Sequence, residues 1–223
     1  MSGERDTGDA RKELAASAAA ELVEDDMTVG LGTGSTVAHL LPAIASRALA
    51  GLRCVASSPG TERAARSLGL PIVTLEEVGG ALDIAIDGAD QIDPEGWLIK
   101  GGGGALTREK VLAAAAARFV VIASAEKEVR ALGAPVPLEI MRFAAPYAIG
   151  ALAPTTLREC PPSPDGNLIA DYRGPVGDPA ELAARLSATP GVVEHGLFQP
   201  ALVSDVILAG PDGVRHRRGA QAA

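Results

Sequence analysis

The chain has 223 residues, 22% of them charged and 47% hydrophobic, with a formal net charge of −8. That length gives ample core for one large domain or two modest ones, and the composition is that of a folded globular protein. The acidic balance argues against a nucleic-acid or membrane-surface binder, since both want a basic face. Phosphate recognition would therefore have to be local, made by a few lysines and backbone N–H groups.

Aromatic residues amount to only 3%, so the expected core is built from Ala, Val, Leu and Ile. The two cysteines, Cys54 and Cys160, form no CxxC or His/Cys cluster and read as reduced and buried, in a cytoplasmic setting. The opening MSGERDTGDARKEL lacks the apolar stretch of a signal peptide. No uninterrupted apolar run approaches the ~20 residues of a membrane span. The expectation is a soluble cytoplasmic protein.

Residues 1–7 and the closing RRGAQAA read as flexible tails. From Asp9 the pattern is helical, with Leu14, Ala18, Leu22 and Val23 near one face. A short apolar strand then runs into glycines and a helix opened by Ser35 or Thr36. LRCVAS predicts a strand, TERAARSLG a helix and PIVTL another strand. ALDIAID predicts a buried strand ending at Asp87, and WLIK a short one ending at Lys100. TREKVLAAAAAR reads as a helix and FVVIAS as a continuous apolar strand. Strands alternating with helices predict a parallel sheet with helices on both faces.

Past residue 132 the texture changes. GAPVPLEIM, NLIADY, PAELAARLSATPG and VVEHGLF suggest a smaller α+β module over 133–203. VSDVILAG, a PDG turn and VRHRR then return as a strand or hairpin, so that 204–223 complete a first domain of residues 1–132.

Three segments start where predicted strands end, the place where ligands bind in open α/β sheets. GLGTGST (Gly30–Thr36) could turn backbone N–H groups and the hydroxyls of Thr33, Ser35 and Thr36 toward a phosphate. It fits neither the P-loop nor the dinucleotide fingerprint, and a tight strand-to-helix turn with an N-cap explains it equally well. DGADQID places Asp87, Asp90 and Asp93 within seven residues. By itself it reads as a solvated turn with capping side chains, and it lacks the spacing of a calcium loop.

KGGGGALTREK (Lys100–Lys110) is the most specific signal. Four glycines cost conformational entropy and bury nothing, so they belong where backbone must approach something closely. Thr107 and the helix dipole would account for Glu109 in a first helical turn, but not for the glycines or for Lys100. Lys12 and Lys127 are candidate phosphate cations. His39, His195 and His216 are scattered without metal-ligand spacing. Trp97 is assigned to packing, and Ser57 and Ser58 to capping.

With these segments in order, the chain resembles the ribose-5-phosphate isomerases of the A type. The likeness rests on GLGTGST, SSPGTERAARSLGLP, IDGADQID, KGGGGALTREK, PGVVEHGLF and DVILAGPDGV. It implies a Rossmann-like α/β domain with a smaller inserted α+β, ferredoxin-like domain. It also implies a homo-oligomer, commonly a dimer, with no metal or organic cofactor. The implied reaction interconverts D-ribose 5-phosphate and D-ribulose 5-phosphate in the pentose phosphate pathway.

By the same resemblance Glu109 is the catalytic base, with Asp87, Asp90 and Lys100 as its active-site companions. Thr33, Gly34, Ser35, Thr36 and Lys127 match the family's substrate-binding positions, with Lys12 a further phosphate contact. Gly88 and Ala89 complete the expected binding set, and the N–H groups of Gly101, Gly102 and Gly103 are expected to form an oxyanion site with Lys100. Gln91 stands where the family often has Glu, beside the aspartates but outside the catalytic motif positions. Three further departures fall in the small module: Leu157–Gly174 is short, ECPPSPDGN replaces a TDNGN-like stretch, and LEIMRFA lacks a proline. The position of these three points to oligomer contacts rather than chemistry. Two other readings remain open. A related sugar-phosphate isomerase or lactonase would be expected to use a catalytic histidine, and no histidine here lies in a glycine-rich or acidic motif. A non-catalytic sugar-phosphate sensor would normally carry a DNA-binding segment.

Overall fold

The computed structural model describes residues 2–220, and for residues 2–7 the backbone alone. In chain order the elements are α1 (Ser2–Ala20), β1 (Thr28–Leu31), α2 (Ser35–Ser46), β2 (Arg53–Ala56), α3 (Pro59–Ser67) and β3 (Leu82–Gly88). A hairpin of β4 (Gln91–Ile92) and β5 (Leu98–Ile99) follows, then α4 (Leu106–Ala115) and β6 (Ala116–Ser124). Next come β7 (Val136–Ile140), α5 (Ala145–Ala151), β8 (Thr155–Leu157), β9 (Leu168–Tyr172), α6 (Pro179–Ser187), β10 (Val192–His195) and β11 (Leu197–Phe198). The chain closes with β12 (Asp205–Gly210) and β13 (Gly213–Arg218).

The residues form two compact units. Of the described residues, the first holds those up to Ala89, Val111–Lys127 and those from Ala201 onward, and the second holds Asp90–Lys110 and Glu128–Pro200. A single boundary at 132 would place 90–110 in the first unit. The strand pairing explains the difference. β5 pairs with β11 through Leu197↔Ile99, and the Gln91 side chain exchanges two 2.8 Å hydrogen bonds with the backbone of Gly133.

In the first unit six strands lie in the order β13-β12-β6-β3-β1-β2. The five from β2 to β12 run parallel, and β13 returns antiparallel as a hairpin on β12. The alternation of apolar strands with helices thus produces the expected α/β architecture. Its core joins Val29, Leu31, Ile84, Ile86, Val120 and Ile122 from the sheet to Val37, Leu40 and Ile44 of α2. From α1 it takes Ala15, Ala16, Ala19, Ala20 and, just beyond, Val23. The alanines, not Leu14, form the buried face of α1: Leu14 is 49% exposed.

The second unit contains a four-stranded antiparallel sheet in the order β10-β7-β9-β8. Its sequence β7-α5-β8-β9-α6-β10 is the βαββαβ arrangement of ferredoxin-like modules. Val136, Leu138 and Ile140 of β7 pack with Ala148 of α5 and Leu182, Ala183 and Leu186 of α6. α6 opens with Pro179 and is capped by Asp178, whose Oδ1 accepts from the N–H groups of Ala180 (2.7 Å) and Glu181 (3.2 Å). Trp97 packs against this core, as expected.

Other expectations need correction. Residues 2–7 continue α1 instead of forming a tail, while Met1 and 221–223 lie outside the described residues. The C-terminal basic run is strand through Arg218, paired with Asp205. PIVTL is not a strand: Ile72 makes a single bridge to Cys54. α4 stops at Ala115 because Ala116 and Arg118 pair with Leu82 and Ile84 of β3. Cys54 is buried, and burial pushes its thiol up to about 12. Cys160 is exposed, in the loop after β8.

Candidate active site

In the first unit the chemistry gathers at the carboxyl edge of the parallel sheet. β1 and β3 are neighbours, yet the chain leaves β1 for β2 and β3 for β6, which lie on opposite sides of the pair. That reversal is the position where open α/β sheets bind ligands. Here the loop after β1 meets the end of β3. The N–H of Thr33 donates to Oδ1 of Asp87 (3.1 Å), and the N–H of Gly88 donates to the same oxygen (2.7 Å). Asp87 is 3% exposed. Gly32 makes this approach feasible, because a Cβ at Gly32 would stand 2.0 Å from Cγ of Asp87.

A hydroxyl cluster braces the loop. Oγ1 of Thr33 is 2.7 Å from Oγ of Ser57 and 3.1 Å from Oγ1 of Thr61. Thr61 in turn donates to the carbonyl of Gly32 (2.8 Å). Ser58 caps α3 by accepting from the N–H of Thr61 (3.1 Å). Gly34 and Ser35 are exposed at the start of α2, whose N-cap is Gly34 and carries no side-chain cap bond. The first N–H groups of α2 therefore present the positive end of a helix dipole to an anion. Lys127 closes the short turn after β6, on the same sheet edge. Lys12 forms an ion pair with Asp9 (3.0 Å) on α1.

In the second unit the expected base and cation come together. Nζ of Lys100 lies 3.4 Å from Oε2 of Glu109, and both side chains are 2% exposed. The glycine run between them is a turn with Gly102 and Gly103 on the surface. The N–H of Gly102 donates to Oδ2 of exposed Asp90 (3.0 Å), so Asp90 holds this turn. Asp93 accepts from the N–H of Trp97 (2.9 Å) and serves the β4–β5 hairpin.

Two supports of Lys100 escaped the sequence. Its N–H donates to the carbonyl of Gly196 (2.9 Å), and a Cβ at Gly196 would stand 2.2 Å from the Lys100 carbonyl oxygen. Its ammonium also lies 5.3 Å from the ring centroid of fully buried Phe198, a contact worth about 0.5–2 kcal/mol. The VVEHGLF stretch reads in the sequence as part of the small module, with nothing that ties Gly196 or Phe198 to Lys100. Beside it, Lys110 approaches the same ring (4.9 Å) and pairs with Glu194 (2.7 Å). Burial pulls the Lys110 ammonium below its ordinary range.

His195 is buried and structural. Its Nδ1 accepts from the N–H of Leu197 (3.2 Å), leaving Nε2 to donate to Ser187 (3.1 Å). Burial, then the nearby Lys110 charge, lowers it to about 4. Among the described residues no group of three or more His, Cys, Asp or Glu could hold a metal ion. No helix among them is long and apolar enough to cross a membrane.

Residues 53–213 match the family of ribose 5-phosphate isomerase A (phosphoriboisomerase A). A ribose-5-phosphate isomerase A from Chloroflexus aurantiacus is 47% identical over 222 residues, covering 92% of each chain. One from Caulobacter vibrioides is 43% identical, covering 92% of this chain and 96% of its own. A D-ribose-5-phosphate isomerase solved in complex with phospho-erythronic acid superposes with a TM-score of 0.89. It is 33% identical, and the match covers 95% of this chain and 99% of that one. The ribose 5-phosphate isomerase A of Neisseria gonorrhoeae gives a TM-score of 0.90 at 31% identity, covering 96% and 98%.

Proposed function

Since the chain belongs to the ribose 5-phosphate isomerase A family, we propose that it interconverts D-ribose 5-phosphate and D-ribulose 5-phosphate by proton transfer through an enediolate, with Glu109 as the base. The activity places it in the pentose phosphate pathway. The observation that carries the assignment is the buried contact of Glu109 with Lys100, 3.4 Å apart at the two ends of a glycine turn.

In the open-chain aldose, the Glu109 carboxylate takes the proton from C2 and the electron pair moves toward the C1 carbonyl oxygen. That oxygen becomes negative, and the Lys100 ammonium stabilises it. Donors aimed at a developing oxyanion typically contribute ~10²–10³ in rate each. The hydroxyl proton on O2 moves to O1, C2 becomes the ketone, and Glu109 returns its proton to C1. A single carboxylate serving both carbons is general acid–base catalysis with one group in alternating protonation states.

Asp87 is assigned to proton handling on the sugar oxygens during ring opening. Its support is a carboxylate pinned by the N–H groups of Thr33 and Gly88 at the sheet's switch point. Asp90 is assigned to a substrate hydroxyl and to the glycine turn. The Thr33–Thr36 loop with Lys127, and Lys12 as a further cation, anchor the phosphate, so that remote binding energy positions the reacting carbons. The reading extends to a cytoplasmic, metal-independent homodimer. Self-association is supported by apolar surface on the second unit, where Phe143 is 93% exposed, Tyr147 61% and Met141 49%.

Glu109→Gln tests the assignment. The expected result is loss of turnover with binding of phospho-erythronic acid retained; near wild-type turnover would overturn it. Undiminished activity in a chelator would support metal independence.

A further inference from the structure

The stretch after β8 reaches the segment that carries Lys100 and Glu109. Nη1 of Arg158 donates to the carbonyls of Gly101 (3.2 Å) and Gly102 (3.0 Å). Its Nε and Nη2 are held by the Asp171 carboxylate at 3.2 and 2.5 Å. The peptide groups of the glycine turn are thereby gripped from both sides, at the carbonyls by Arg158 and at the Gly102 N–H by Asp90.

Seven residues on, Asp165 accepts from Nε (2.9 Å) and Nη2 (2.7 Å) of Arg108, the neighbour of Glu109. Ser163 (2.6 Å) and Asn167 (2.9 Å) donate to Oε1 of fully buried Glu139. The other oxygen of Glu139 accepts from Oγ1 of Thr107 (2.6 Å), in the first turn of α4.

We propose that Arg158 is a positioning residue for the isomerisation, fixing the glycine turn beside Lys100, and that residues 158–167 form a strap that also holds the first turn of α4. The inference rests on the reading of Glu109 as base and Lys100 as oxyanion partner. A guanidinium suits the task better than an ammonium. It places donors on two carbonyls while its other edge meets a carboxylate, whereas an ammonium is a point charge without that fork. Four glycines have little intrinsic rigidity, so the turn takes its shape from such outside contacts. A positioning error near 1 Å can cost ~10² in rate.

The test compares Arg158→Ala, Arg158→Lys and Glu109→Gln in the full chain. It reads kcat, KM and affinity for phospho-erythronic acid, whose carboxylate offers the planar oxygen pair that an enediolate also offers. Inorganic phosphate serves as the probe for anion binding alone. The expectation for R158A is a fall in kcat of about 10- to 100-fold with KM changed less than about threefold. Phospho-erythronic acid affinity should fall and phosphate affinity should hold, and R158K should restore part of kcat.

A folded R158A with wild-type kcat, or with the loss confined to KM, overturns the proposal. If R158A does not fold, R158K carries the test: a lowered kcat at unchanged KM supports the strap, and a wild-type kcat rejects it. An active E109Q would instead remove the reading beneath the proposal, whereas an inactive E109Q beside an unaffected R158A removes the strap alone.

Discussion

The ammonium of Lys100 stands 3.4 Å from Oε2 of Glu109, with both side chains 2% exposed. Such a pair contributes little net stability against a well-packed apolar pair, yet breaking it leaves one buried charge uncompensated. Lys100→Met should therefore destabilise the fold by about 3–5 kcal/mol, and the double variant Lys100→Met/Glu109→Gln should recover most of that loss. Denaturant titrations of the three proteins measure it. Equal destabilisation of single and double variants would show that the charges are not coupled.

Gly32 is required by the space that Asp87 occupies. A methyl group there would lie 2.0 Å from Cγ of Asp87, so Gly32→Ala must push the carboxylate off the N–H groups of Thr33 and Gly88. Turnover should fall ~10²-fold, the scale of a misplaced reacting group, while the melting temperature moves much less. Steady-state kinetics beside a thermal melt separates the two effects.

The phosphate assignment predicts a different kinetic pattern. Lys127→Ala should raise KM and weaken inhibition by inorganic phosphate, with kcat lowered less, because an anchor binds ground and transition states alike. Lys12→Ala should act the same way more weakly, since Lys12 is already paired with Asp9. A pure kcat effect at Lys127 would place it at the reacting carbons instead.

His195 supplies a stability dependence on pH. Burial, reinforced by Lys110, lowers it to about 4 in the folded protein, from an ordinary 6.5. As pH falls through 6.5 the unfolded chain takes up this proton while the folded one resists until near 4. The unfolded state then binds more protons, so the contribution is complete above 6.5 and declines across that window. The slope is at most about 1.4 kcal/mol per pH unit. Denaturation of wild type and His195→Gln at pH 7 and pH 5 should show the smaller decline in the variant.

Much of this was legible in the sequence, for identifiable reasons. Lys100 and Glu109 flank four glycines, and no packing role explains that combination. The strands β1, β2 and β3 are separated by the amphipathic helices α2 and α3, and the hairpin at 205–218 is marked by its PDG turn. α5 was missed because FAAPYAIGA has no polar N-cap, its cap being Ala144. PIVTL carried the apolar pattern of a strand but found a partner only at Ile72. Arg158 and Phe198 were illegible for a deeper reason. Arg158 meets its glycine carbonyls across 57 and 56 positions of chain, and neither residue belongs to a charged or glycine-rich run. Their roles exist only once the strands of the second unit have paired.

The most direct test follows D-ribose 5-phosphate by proton NMR in D₂O, in the presence of a chelator, with the wild-type protein and Glu109→Gln. Wild type should form ribulose 5-phosphate with deuterium entering at C1, and E109Q should form none. Conversion by E109Q at the wild-type rate, or no conversion by the wild type, would contradict isomerisation through Glu109.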